Sequence, residues 1–244
     1  MPARRSMLYA LLVLSLPAAP ALSDSVPIPN GSFEDPALPY APPFASPSIS
    51  DWQKAPVPAW YTAAGYTAEQ WADSSGTFVN VTYAPIDNLD GNQLAFMFSV
   101  PGYSLSQDLA ATFQTGNSYH LIVGIEGGGA GMPLGCPMET MLYYRDGSGN
   151  QVTVGTEVVT NTNPTTTLSH LTDYTLDIPA VAASDPWAGK NIGVELLQTG
   201  NSGGYWDIDN VRLTTTAVPE PGSLALLTVG LGMLAVRRWR ASKK

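Results

Sequence analysis

Between residues 26 and 215, apolar side chains recur mostly at every second position over short spans. No stretch there repeats them at the three- and four-residue spacing of an amphipathic helix. Tyr119, Leu121, Val123 and Ile125 give the clearest alternation, as on one face of a strand. Runs rich in Val, Ile, Tyr, Phe and Thr are separated by turn residues, and they predict strands at Thr77–Tyr83, Asn92–Ser99, Tyr103–Leu109, Ser118–Glu126, Glu139–Tyr144, Gln151–Val159, Asp173–Ile178, Asn191–Leu197 and Tyr205–Leu213. Arg145-Asp146-Gly147-Ser148-Gly149-Asn150 is a hairpin connection, because Gly and Asn accept the positive φ such loops need. Gly127-Gly128-Gly129 is expected to break the strand that precedes it. Proline-rich Pro36–Trp60 reads as a long irregular loop. Short strands without helices predict an all-β domain of two antiparallel sheets packed face to face. On the closing strand, alternation sends Trp206 and Ile208 inward and Tyr205, Asp207 and Asp209 to the other face.

The two ends depart from this pattern. Arg4 and Arg5, the apolar run Leu8 to Leu16, and the small residues Ala19 and Ala21 make residues 1–23 a secretory signal peptide, with cleavage expected after Ala21 or Ser23. At the other end, Val218-Pro219-Glu220-Pro221 leads into an apolar run, Gly222 to Val236, and then Arg237-Arg238-Trp239-Arg240. As a helix that run would be about 22 Å long, short for a ~30 Å hydrocarbon core. The basic cluster would hold it on the cytoplasmic side. Pro-Glu-Pro, a short apolar helix and an arginine cluster, in that order, resemble the PEP-CTERM sorting signal of Gram-negative bacteria. The resemblance implies recognition of residues 218–240 by an exosortase and delivery to the cell surface or beyond, with only a transient membrane anchor. The chain thus divides into a signal peptide (1–23), one sandwich domain (24–216) and a sorting tail with a short transmembrane helix (217–244).

Charge changes the picture once these ends are set aside. All 20 acidic residues lie between Asp24 and Glu220, against only Lys54, Arg145, Lys190 and Arg212, a net charge of −16. So acidic a domain disfavours nucleic acid and anionic membrane surfaces. Cys136 is the single cysteine, which excludes a disulfide scaffold and suits a small buried side chain. With 23 Gly, 21 Pro and only 13% charged residues, a long helical bundle is excluded as well. His120 and His170 are the only histidines, and nothing has Cys/His metal spacing. The glycine-rich Gly124 to Gly131 is followed by no helix, so it is not a phosphate loop.

Three constellations carry candidate chemistry. Asn30-Gly31-Ser32-Phe33-Glu34 opens the domain and Asp207-Ile208-Asp209-Asn210-Val211 closes it. This pairing resembles jelly-roll domains of the carbohydrate-binding-module type. The resemblance implies a structural Ca2+ held by carboxylates of Glu34 and Asp209 and a backbone carbonyl of Ser32, a hard-oxygen set that suits the ion. Aromatic residues form the second group: Tyr205, Trp60 and Trp71 are the candidates for a sugar platform, because a pyranose has an apolar face. The third is Asp207 with Asp209, about 6–7 Å apart on one strand face, where like charge raises one pKa and makes an acid. The whole pattern is also similar to the Stig cyclases of cyanobacterial indole alkaloid biosynthesis, which implies a shared jelly-roll fold. It further implies Asp207 or Asp209 as the acid and Tyr103 as a pocket aromatic. The expected function is that of an exported surface protein that binds polysaccharide or contributes to extracellular matrix and biofilm. The alternatives are a cyclase-type acid catalyst and a purely structural surface protein.

Overall fold

The computed structural model describes residues 23–42, 44–81, 85–163, 169–200, 203–218 and 230–232. The expected signal peptide, but for Ser23, and nearly all of the tail lie outside the described residues. Among those described, no helix is long and apolar enough to cross a membrane.

The fold is all-β. In chain order the strands are β1 (Ser23–Val26), β2 (Ala45–Ser46), β3 (Gln53–Lys54), β4 (Ser75–Val79), β5 (Gln93–Phe98), β6 (Ser104–Thr112), β7 (Asn117–Gly129), β8 (Pro137–Arg145), β9 (Gln151–Thr160), β10 (Thr172–Ile178), β11 (Asn191–Gln198) and β12 (Tyr205–Ala217). The larger sheet runs β10-β7-β12-β5-β4-β2, with β1 paired to the far end of β12, and the smaller runs β3-β6-β11-β8-β9. Every strand pairing in both sheets is antiparallel. All nine predicted strands are present with shifted ends, although residues 82–84, at the end of the first, lie outside the described residues.

The core lies between the sheets. Tyr119, Leu121, Val123 and Ile125 of β7, Trp206 and Ile208 of β12, and Leu105, Leu142, Val194 and Leu196 of the facing sheet are buried in one cluster. Each large apolar side chain so buried contributes roughly 1.5–3 kcal/mol. Trp206 donates its indole N–H across the layers to Gln198 Oε1 at 3.1 Å, so burial leaves that polar atom satisfied. A second, smaller cluster of Ile86, Leu94 and Leu171 sits on the outer side of the larger sheet. There Asp87 N–H donates to Ser169 O (2.9 Å) and Leu171 N–H to Asp87 O (3.0 Å), so two connecting segments cover part of that face.

Three expectations need correction. The domain is not free of helix: one-turn helices α1 (Ala59–Ala63) and α2 (Ala68–Ala72) follow β3. α2 is fixed by a local capping box in which Thr67 Oγ1 accepts from Gln70 N–H and Gln70 Oε1 accepts from Thr67 N–H. Such a turn is too short to leave a hydrophobic period. Second, Pro36–Trp60 is irregular only in part, because it contains β2, which pairs with β4, and β3, which pairs with β6. Third, Gly127-Gly128-Gly129 does not break β7, which runs through to Gly129. Here glycine serves close approach and a bulge: a Cβ on Gly127 would lie 2.6 Å from the Trp206 ring, and Gly128 takes φ 117° where the β7–β12 register shifts by one residue.

Substituting Gly127→Ala is therefore expected to cost about 1–3 kcal/mol, as overpacking does. Gly147→Ala, where a Cβ meets nothing within 4 Å, should change stability by no more than about 0.5 kcal/mol. Urea denaturation of both variants measures the difference, and equal midpoints would contradict the packing argument.

Candidate functional site

The opening and closing motifs meet through backbone geometry. Asn210 adopts φ 54° and creates a bulge at which β12 slips one residue against β7. The slip frees Val211 N–H from the ladder, and it donates to Gly31 O at 2.8 Å. Gly31 lies so close to Val211 O that no Cβ fits between them. Asn30, at φ 47°, uses its side chain to shape the incoming loop: Nδ2 donates to Asp35 O (2.8 Å) and Ser50 O (2.9 Å), and Oδ1 accepts from Asp35 N–H (3.0 Å). Phe33 is fully buried and stacks on Trp52 at 5.4 Å.

Glu34 and Asp209 then converge on one turn. Glu34 Oε1 accepts from Asn92 N–H (2.6 Å) and Gln93 N–H (2.7 Å), and Asp209 Oδ2 accepts from Asp90 N–H (2.7 Å). Asp209 is completely buried and its Oδ1 has no partner. Burial pushes its carboxyl up to about 8, against the N–H donors of Asp90 and Asn210, and the charges of Asp90 and Glu34 push the same way as burial. Ser32, Asp90 and Asn210 line a shared cavity of 320 Å³ beside this turn. Among the described residues no three His, Cys, Asp or Glu side chains converge as a metal cluster. Backbone carbonyls would therefore have to complete any oxygen shell around Glu34 and Asp209.

Asp207 sits one step along the same face. It pairs across β12 with Phe96 of β5 and Glu126 of β7. It is 1% exposed and neither carboxyl oxygen has a partner. Burial, and then the charge of Glu126, holds its carboxyl well above the usual carboxylate range. Glu126 itself accepts from Asn163 Nδ2 (3.1 Å), Ser169 N–H (2.8 Å) and His170 N–H (2.9 Å). The outer face of the larger sheet thus carries a buried acid of raised proton affinity beside a second carboxyl group held by N–H donors of Asn163, Ser169 and His170.

Next to the covered part, the same face is open. Phe44, Phe78, Phe96, Phe98 and Tyr205 line a cavity of 390 Å³. The rings form a run: Phe78 to Phe96 6.4 Å, Phe96 to Phe98 5.8 Å, Phe98 to Tyr205 5.7 Å. Of the expected platform residues, only Tyr205 is here. Trp71 is a core residue, packed on Tyr103 at 5.0 Å, while Trp60 is exposed on α1 and meets Trp71 edge-on at 6.3 Å. Tyr103 is not brought to Asp207: it lies fully buried between the sheets, with its hydroxyl 2.7 Å from Ser75 Oγ. The sequence reading missed Phe78, Phe96, Phe98 and Glu126. The legible signal was Gln93–Phe98 itself, whose apolar residues occupy both faces of the strand and so require cover, or a ligand, on the outer one.

Comparison with known proteins fits this picture. No curated protein matches the chain. A crystal structure of a cyclase from Fischerella sp. TAU superposes with a TM-score of 0.60 at 22% identity, covering 82% of this chain and 100% of that one. The Stig cyclase Fisc from the same organism, in complex with (3Z)-3-(1-methyl-2-pyrrolidinylidene)-3H-indole, gives 0.60 at 21% identity over 81% and 100%. At these identities the likeness is one of fold. Residues 217–241 match the PEP-CTERM protein-sorting motif, which marks the chain for processing by an exosortase and for export and sorting to the cell surface. Residues 24–214, nearly the whole sandwich, match the HpiC1 cyclase family, and the chain belongs to that family.

Proposed function

We propose that this exported protein is a ligand-binding sandwich whose site is the aromatic run on the outer face of the larger sheet, and that its ligand at the cell surface is a polysaccharide presenting ring faces. One observation carries the reading: four rings in successive contact, Phe98 exposed and the other three half-buried, line a 390 Å³ groove that no described residue covers. A second reading, acid catalysis of the cyclase type, is favoured by Asp207, a carboxyl near the groove whose hold on its proton burial strengthens. Binding takes precedence because Asp207 is enclosed and both of its oxygens are shut off from the groove. We also assign a structural Ca2+ to the turn that Glu34 and Asp209 share. The orphaned, buried Asp209 Oδ1 fits such an ion, with Ser32 O completing the set.

Phe98→Ala and Phe96→Ala should each weaken binding about tenfold or more, given what aromatic anchors contribute. The assay is a glycan array on the trimmed domain, with 4-(1H-indol-3-yl)butan-2-one, the ligand of a Fischerella sp. TAU cyclase, tested in parallel by calorimetry. Silence from every glycan, with the indole ketone bound, would transfer the groove to the cyclase reading.

Calcium should raise the melting temperature, and more at about pH 8 than at about pH 5, because the ion competes with the proton on Asp209. Glu34→Gln should remove most of that rise. A melting curve that ignores both calcium and chelator would discard the site.

Asp207 and Asp209 have raised carboxyl pKa values, so the folded, metal-free state binds more protons than the unfolded chain. Their stabilising contribution is full below about pH 4 and is lost as pH climbs, through about 8 for Asp209. In chelator, stability should therefore fall with rising pH by up to about 1.4 kcal/mol per unit for each group. Asp207→Asn should flatten that slope, as read from urea midpoints at several pH values.

A further inference from the structure

The aromatic groove does not end at Phe98. On the far side of that ring lies a second cavity, of 320 Å³, whose lining includes Tyr61, Gln70, Asp73, Ser74, Phe98 and Ser99. Phe98, 40% exposed, is the side chain common to both cavities. The two differ in chemistry. The first is walled by rings, and the second carries hydroxyls, an amide and one carboxylate.

The polar groups of the second cavity are not equally available. Gln70 Oε1 is occupied by Thr67 N–H, Ser74 Oγ donates to Gln70 O, and Ser99 Oγ lies 3.2 Å from Cys136 Sγ. Asp73 is exposed, and among the described residues no hydrogen bond is made to its carboxylate. Among the described residues Lys54 is a cation near enough to interact with it, but Lys54 does not line the cavity and its ammonium donates to Pro47 O, Ala72 O and Ser75 O. The cavity therefore offers one available negatively charged acceptor, set in a domain (24–216) of net charge −15. Both the local group and the surrounding field favour a cationic ligand group over a neutral or an anionic one.

Building on the reading of the aromatic groove as the ligand site, we infer that the two cavities form one bipartite site for a ligand that stacks a ring on Phe96 and Phe98 and places a protonated amine against Asp73. Two sources supply that chemistry: an amino-sugar oligomer and an arylalkyl amine.

The test uses the sandwich domain with matched probes that differ in charge: glucosamine oligomers against their N-acetylated counterparts, and tryptamine against tryptophol. Wild-type protein should bind the amine of at least one pair about tenfold more tightly at low salt, a preference that shrinks as salt rises. Asp73→Asn should abolish the preference while leaving the neutral probe's affinity unchanged. Asp24→Asn, on β1, should leave the preference intact, and Phe98→Ala should weaken both members of the pair. Which pair responds identifies the source. Equal binding of amine and neutral probe, or a preference that survives Asp73→Asn, overturns the inference and leaves the groove standing. Failure of all four probes to bind the wild-type protein overturns the groove with it.

Discussion

The sandwich depends on a single slip in its last strand. β12 is central in the larger sheet, so every residue along it must face either the core or the outer surface. Up to Ile208 the even-numbered residues face the core; beyond the bulge it is Val211 and Leu213 that are buried there. The bulge at Asn210 makes that switch of parity. Without it Val211 and Leu213 would share a face with Asp209, and Arg212 would enter the core. The same slip releases the Val211 N–H, and the opening segment is held by it through Gly31. One positive φ thus sets strand parity and closes the domain's two ends on each other.

This closure explains why two carboxyl groups can be buried a residue apart. A charged carboxylate without partners costs several kcal/mol to remove from water, and a protonated one costs far less. Asp207 takes the second course. Its strand neighbour Glu126 is held by three N–H donors, and burial, then the Glu126 charge, raise the Asp207 carboxyl well above the usual carboxylate range. Asp209 lies in between: one oxygen is satisfied by the Asp90 N–H and the other is left without a partner. The covering segments and their small apolar cluster of Ile86, Leu94 and Leu171 keep water from these groups. Polar chemistry at this site follows from the cover that the described parts of two connections, 85–92 and 169–171, lay on the sheet, not from the sandwich core.

The strands were legible in the sequence because period-two alternation is a direct image of a half-buried sheet. The facing of Trp206 and Ile208 came from the same rule and holds in the structure. What alternation cannot show is a change of phase. Gly127 to Gly129 reads as a strand end because glycine is usually punctuation, yet here its lack of a side chain makes room for the Trp206 and Tyr205 rings. Trp71 and Tyr103 belong to residue types suited to ligand platforms, but Tyr103 packs between the sheets and Trp71 packs on it. Conversely Phe96 and Phe98 were legible only as members of the strand Asn92–Ser99, and the structure leaves their face of the sheet partly open. Composition names the residues fit for a role; only the topology tells which face they occupy.

That topology also bears on presentation at the surface. β12 is 13 residues long, about 40 Å at ~3.3 Å per residue. Its first residue, Tyr205, lines the groove, and its last, Ala217, is where the sorting motif begins. β1 pairs at that same far end, Ser23 opposite Thr216, so the chain enters and leaves the sandwich at the pole remote from the aromatic run. A sandwich held through residues 217–241 therefore carries its groove at the opposite pole, along the full length of the central strand. The sorting motif and the proposed ligand groove thus occupy opposite ends of the central strand and do not compete for one face.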